Sequence, residues 1–273
     1  MVSRIRTRTL SLFVVIGLSF VGGSATAQRL RGSSQTALSE PGDVPGAEFQ
    51  FARMIYTDLA RQRRGGSGWW MQDWPDAEEH FSQGVSRLTR LDIGKPVTLQ
   101  LTDDHLFDYP WLYATQVGYW DLSDVELAGL REYLLRGGFL MTDDFFGNSE
   151  WAVFADTMRR LFPDRPMVEI PTDDVALHVI YDIDEVTQIP GLRHISCGGG
   201  GFGGRRGNSA AGGLPAPEWH GIYDDDGRLM VAVNYNQDVG DAWEEADDPC
   251  YPEAMTALAY RIAINYVIYT MTH

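Results

Sequence analysis

The sequence predicts an α/β protein in which a mostly parallel sheet is covered by helices on both faces. Three stretches carry that expectation. "PVTLQLTDD" alternates Val97, Leu99 and Leu101 as a strand does, "SDVELAGLREYLLRGG" opens with a helix cap and lines one face with leucine, and "FLMTDD" returns to a short apolar run. Strands alternating with helices through short connections are the pattern of a parallel sheet.

The elements follow in chain order. Residues 1–27 read as a signal peptide. Arg4, Arg6 and Arg8 precede an apolar run from about Leu10 to Val21, and Ala25-Thr26-Ala27 has the small-x-small spacing of a cleavage site. Cleavage before Gln28 is expected, giving a periplasmic or secreted product. The run is short for a membrane span, and Gln28 stands where a lipoprotein needs cysteine, so no stable span is expected after cleavage.

Residues 28–46 are polar and rich in Pro, Gly and Ser, the composition of a flexible leader. A single α/β domain then occupies residues 47–273. Phe49, Phe51 and Met54 to Tyr56 suggest its first strand, and after a glycine-rich turn Phe81, Val85 and Leu88 predict a helix that starts near Pro75.

The strand containing Val97 comes next, followed by "YPWLYATQVG", a compact aromatic run ending on Gln116 and Gly118. Ser123 and Glu126 have capping-box spacing. Leu127, Leu130 and Leu134 face one side until Gly137-Gly138 stop the helix. "FLMTDD" reads as a strand, and "SEWAVFADTMRRLFPD" as an amphipathic helix ended by Pro163.

Beyond that helix, "MVEI" and "ALHVIYDI" look like short strands, and residues 198–213 form a glycine-rich loop. "WHGIYDDDGRLMVAVNYNQD" predicts a hairpin with Asp226-Gly227 as a two-residue turn. "PEAMTALAYRIAINYVIY" predicts a closing helix. Glu253, Arg261 and Asn265 within it argue for packing on the sheet and against a membrane span.

A hydrophobic content of 44% suits a folded domain, and the net charge of −16 becomes more negative once three arginines leave with the signal peptide. Such a surface repels nucleic acid. It serves solubility and suits a cationic ligand, a metal ion or a basic partner, including a protein of the cell envelope. The two cysteines, Cys197 and Cys250, are an even pair of the kind that forms a disulfide in an oxidising compartment.

Ligands of open α/β sheets bind beyond the carboxyl ends of the strands. That edge is expected to gather Asp143, Asp144, His105 and Asp238 as candidate catalytic groups, with Asp143 and Asp144 also candidate ligands for a divalent metal. Gln116 and Asn236 are candidate binding residues, as are Trp69 and Trp70, whose rings suit stacking. The same aspartates also fit local capping and turn roles, and the tryptophans also fit an aromatic lid. No G-x-S-x-G elbow and no H-E-x-x-H motif occurs, and the G-x-G-x-x-G at Gly199, Gly201 and Gly204 has no helix after it.

The blocks "FQFARMIYTD", "WW", "YPWLYATQVGYWDLSDVELAGLREYLLRGGFLMTDDF" and "GRLMVAVNYNQDVGDAWE" resemble the bacterial family named domain of unknown function 4159. That resemblance implies a class I glutamine amidotransferase-like fold: a three-layer sandwich with a mostly parallel, flavodoxin-like central sheet. It also implies an exported or envelope-linked setting and leaves the reaction open. Asp143 and Asp144 stand where amidotransferases carry the cysteine nucleophile. Relatives often show Asp-His-Pro where this chain has Asp173-Asp174-Val175, which removes a histidine from that point.

The expected function is therefore an exported, non-catalytic domain that binds a ligand or partner at the acidic strand ends. The alternative is a metal-assisted or carboxylate-dependent hydrolase using the same cluster.

Overall fold

A computed structural model describes residues 46–58, 68–195 and 213–273. The leader and the glycine-rich loop predicted above lie outside the described residues, apart from Gly46 and Gly213.

Seven strands form one sheet: β1 Ala52–Ile55, β2 Val97–Gln100, β3 Trp111–Thr115, β4 Phe139–Asp143, β5 Val168–Glu169, β6 Glu218–Tyr223 and β7 Leu229–Tyr235. They lie in the order β2-β1-β3-β4-β7-β6-β5. The pairs from β2 across to β7 are parallel, and β6 and β5 extend the sheet by antiparallel pairing. Among the described residues five α-helices flank the sheet: α1 Asp76–Leu88, α2 Asp124–Leu135, α3 Gly147–Leu161, α4 Val239–Glu244 and α5 Glu253–Thr272.

Alternation along the strands sorts the core into two clusters, because successive side chains point to opposite faces. Leu112, Ala114 and Leu140 join Leu130 and Leu134 of α2 and Phe154 and Met158 of α3. Trp111, Tyr113, Phe139 and Met141 join Phe81 of α1, Trp243 of α4 and Ile262 of α5.

The helix signals act as their chemistry requires. Ser123 Oγ accepts from Glu126 N–H, and the Glu126 carboxylate accepts in return from Ser123 N–H at 2.8 Å, a complete capping box. In α1, Phe81 and Val85 are buried, whereas Leu88 is 55% exposed where the helix ends.

The structure corrects two expectations and assigns a strand to a run the sequence leaves without one. The aromatic run "YPWLYATQVG" contains a central strand, β3, whose five residues are all buried. The stretch "ALHVIYDI" is not a strand. Asn265 of α5 takes its backbone instead, accepting from Ile180 and Tyr181 N–H at 3.0 and 2.9 Å and donating to Leu177 and Tyr181 carbonyls at 2.7 Å. A segment whose backbone groups are satisfied by a side chain has nothing to gain from a neighbouring strand.

The hairpin between β6 and β7 exists, but its loop is longer than two residues. Asp224 N–H donates to the Arg228 carbonyl at 2.9 Å, Gly227 N–H donates to the Asp224 carbonyl at 3.2 Å, and Gly227 takes φ 82°. Glycine therefore closes a three-residue loop, and the register shifts at Ile222/Tyr223. Among the described residues no helix is long and apolar enough to cross a membrane.

Candidate functional site

The parallel strands deliver polar residues to one edge. Directly after β3, β4 and β7 come Gln116 (φ 54°), Asp144 (φ 51°) and Asn236 (φ 58°), each a non-glycine residue in the left-handed region. Such a conformation costs of order 1–3 kcal/mol per residue and collects at functional sites. Asp73, which precedes α1, is the fourth, at φ 63°. Hydrogen bonds lock the turns together. Asp144 N–H donates to the Gln237 carbonyl at 2.9 Å, and Asn236 N–H donates to the Phe145 carbonyl at 3.1 Å.

The two adjacent aspartates diverge, because Asp143 ends β4 and Asp144 turns out of it in the left-handed region. Asp143 is fully buried and turns inward. It accepts from Tyr113 O–H at 2.6 Å and from the backbone N–H groups of Val239 and Gly240 at 2.7 and 2.9 Å. Both its oxygens are occupied, one joining β4 to Tyr113 of β3 and the other joining β4 to the start of α4. Asp144 accepts from the Gln116 amide and, at 3.2 Å, from Arg193 Nη2.

Asp238 caps α4, accepting from Asp241 N–H at 3.2 Å, and its other oxygen lies 4.0 Å from Arg193 Nη2. Asn236 accepts from Gly147 N–H at 3.0 Å and donates to the Ala216 carbonyl at 2.8 Å, so it braces the start of α3.

A strap before the glycine-rich loop covers this edge. Gln188 donates to the Asn236 carbonyl at 2.6 Å, Ile189 O accepts from Asp238 N–H at 2.9 Å, and Leu192 N–H donates to Asp241 at 2.7 Å. Arg193 then reaches Asp144 from the strap.

Burial dominates the electrostatics. It pushes Asp143 up to about 7 against its hydrogen bonds, and Asp73 up to about 6 with help from Asp241. It holds Asp144 and Asp238 well above the usual carboxylate range, reinforced by repulsion from Asp143 and from Asp144 respectively. Glu244 rises to about 8 through burial and then through Asp73. Arg193 is raised although burial opposes its charge, because Asp144, Asp238 and Asp241 surround it. Burial lowers His194, whose Nδ1 is buried without a partner.

The tryptophan pair also divides. Trp69 is 37% exposed and stacks on Tyr119 with ring centres 4.7 Å apart, while Trp70 is core and offers its carbonyl to Arg53. His105 stays with its own turn, its backbone N–H donating to Asp103 and its ring bonded to Asp108 at 2.9 Å. Asp108 in turn lines a cavity with Pro110, Gly137 and Gly138, residues that precede β3 and β4. Gln116, Asp144, Asn236 and Asp238 are thus assembled, Asp143 is a strut beside them, and His105 bonds to none of them.

Sequence reasoning missed Asp73, Arg193, Asp241 and Glu244. Only Asp241 had a local signal, since Asp238 and Asp241 have the spacing of a helix cap and its third residue. Among the described residues, the carboxylates close enough to share an ion are Asp73, Asp238 and Asp241.

Fold and site together define a mostly parallel α/β protein with a buried cluster of acidic side chains at the carboxyl edge of its sheet. Residues 50–271 match the family described as a domain of unknown function, DUF4159, and the chain belongs to that family. No curated protein matches it.

Proposed function

We propose that this is an exported, non-catalytic domain that binds a ligand in the crevice beyond β3, β4 and β7, on a flavodoxin-like, class I amidotransferase-like scaffold. The observation that carries the reading is the company of Asp144. It stands after the fourth strand of the order, in a strained turn that leads to a helix, as a nucleophile would. Yet its side-chain partners are the Gln116 amide and the Arg193 guanidinium, neither of which takes a proton at neutral pH.

The scaffold assignment is supported by the strand order. With β7 as the fifth parallel strand it reads 2-1-3-4-5, the flavodoxin order, whose ligands sit at the strand carboxyl ends. Helices α2 and α3 share one core cluster and α1 and α5 the other, as a three-layer sandwich requires.

Export is supported by the leader pattern and by Cys250, which is disulfide-bonded. The chain's other cysteine is Cys197, outside the described residues. Amino-terminal sequencing of the secreted or periplasmic protein should begin at Gln28; a mature protein that retains Met1 would remove this reading.

The binding reading is tested with p-nitrophenyl acetate, p-nitrophenyl phosphate and γ-glutamyl-p-nitroanilide. No turnover above buffer is expected from the wild type, and Asp144→Asn should fold with an unchanged or higher Tm, since it removes a repelled, buried carboxylate. Turnover that Asp144→Asn abolishes would favour the hydrolase.

A further inference from the structure

We propose that Asp73, Asp238 and Asp241 bind a hard divalent cation, Ca²⁺ in preference to Mg²⁺; this names a ligand for the binding reading above and rests on it. One carboxylate oxygen from each residue lies within 4.8 Å of the others. Ca²⁺ holds oxygens at about 2.3–2.6 Å, so opposed ligands of one ion stand roughly 4.6–5.2 Å apart and a single ion spans the three. Mg²⁺, at about 2.0–2.1 Å and strictly octahedral, fits three carboxylates less readily.

An independent observation points to the ion. Asp73 is 7% exposed; its Oδ1 accepts from Gln72 at 2.6 Å, and its Oδ2 is buried with no N–H or hydroxyl donor, the neighbouring Glu244 carboxyl bonding to Asp73 only as the protonated acid. A buried carboxylate oxygen left without a partner is costly, and a cation supplies that partner without needing a donor from the chain. The facing backbone approaches the carboxylates closely, and only glycine fits there. A Cβ on Gly191 would run into the Oδ2 atoms of Asp238 and Asp241, and one on Gly240 would stand 3.2 Å from Asp73 Oδ2.

The local charge is unbalanced in the same sense. Of the two arginines in range, Arg53 is paired with Glu78, and Arg193 is bonded to Asp144 at 3.2 Å and 4.0 Å from Asp238. Asp238 and Asp241 each already accept one backbone N–H, yet a carboxylate has about four acceptor positions, so each retains capacity for the ion. Waters would complete the coordination.

The experiment uses the full-length protein, stripped with EDTA and desalted. Tb³⁺ reports directly, because the same Gly240 Cβ position lies 2.6 Å from Tyr113 O–H, which places a sensitising ring beside the site. Expected are a saturable tyrosine-sensitised Tb³⁺ emission displaced by Ca²⁺ more effectively than by Mg²⁺, and a saturable rise in Tm with Ca²⁺. Asp73→Asn and Asp238→Asn should each weaken binding about tenfold or more, as expected for loss of a charged ligand. Asparagine remains a good helix cap, so Asp238→Asn keeps α4. Asp225→Asn, on the distant hairpin loop, should bind as the wild type does.

No Tb³⁺ signal and no Ca²⁺ shift in the wild type would overturn the proposal, as would unchanged binding in both site variants. Either result leaves the wider binding reading standing, because that reading depends on the turnover assays with Asp144→Asn.

Discussion

Arg53 shows how one buried charge organises the approach to the crevice. It is fully buried on β1, pairs with Glu78 of α1, and lies over the Tyr113 ring at 4.7 Å. It donates to the Trp70 and Gln72 carbonyls at 3.2 and 3.1 Å, which fixes the backbone that delivers Asp73. Arg53→Met should cost about 3–5 kcal/mol, because it leaves the Glu78 carboxyl in the core without its partner. Urea denaturation measures this, and Arg53→Met/Glu78→Leu should recover much of the loss. An equally unstable double variant would show that the backbone contacts, and not the unpaired carboxyl, dominate. At this scale Gln116, Asp144, Asn236 and Asp238 were legible because each follows or closes a readable strand. Asp73 and Arg193 were not, since neither marks an element and both gain meaning only from residues far along the chain.

At the scale of elements, α2 was the most legible, because its cap, leucine face and glycine stop are all local. Its Gly129 was not legible. Alanine in place of a helical glycine ordinarily stabilises by about 0.5–1 kcal/mol. Here a Cβ at 129 would run into the carbonyl oxygen of Leu101, just past β2, so the close approach of helix to strand requires glycine. Gly129→Ala should therefore lower the urea midpoint, and a rise would show that α2 can shift without loss. Asn265 teaches the complementary lesson. Its polarity within an apolar helix argued against a membrane span, but its role in holding residues 177–181 out of the sheet depends on a partner segment more than eighty residues away. The short helix α4 also escaped notice, although Asp238 and Asp241 mark its start.

For the whole molecule, buried carboxyls set an unusual pH response. Burial raises Asp143 from 3.8 to about 7 and Glu78 from 4.5 to about 7. Between those limits the folded chain keeps protons that the unfolded chain has released, so stability falls as pH rises through the window. The contribution is greatest near the acid limit of that range and is gone once both groups ionise in the fold. In EDTA-containing buffer, Tm should decline from about pH 5 to about pH 8, where paired surface carboxylates would give the opposite slope. A Tm that rises across this range would mean that the buried acids are ionised and compensated throughout.

The sequence by itself determined the alternation of strand and helix, the capped helix α2, the hairpin, the acidic character of the strand ends and the family. These follow from periodicity, capping and turn chemistry, which act between near neighbours. Only the tertiary structure decided that β3 is a central strand, that Asp143 is a strut while Asp144 faces Gln116 and Arg193, and that Asp73 joins Asp238 and Asp241. Those outcomes depend on which side of a pleat a residue points to and on which distant backbone groups are left to satisfy it. Burial then sets the protonation of the acids, and burial is a property of the assembled sheet and its covering strap.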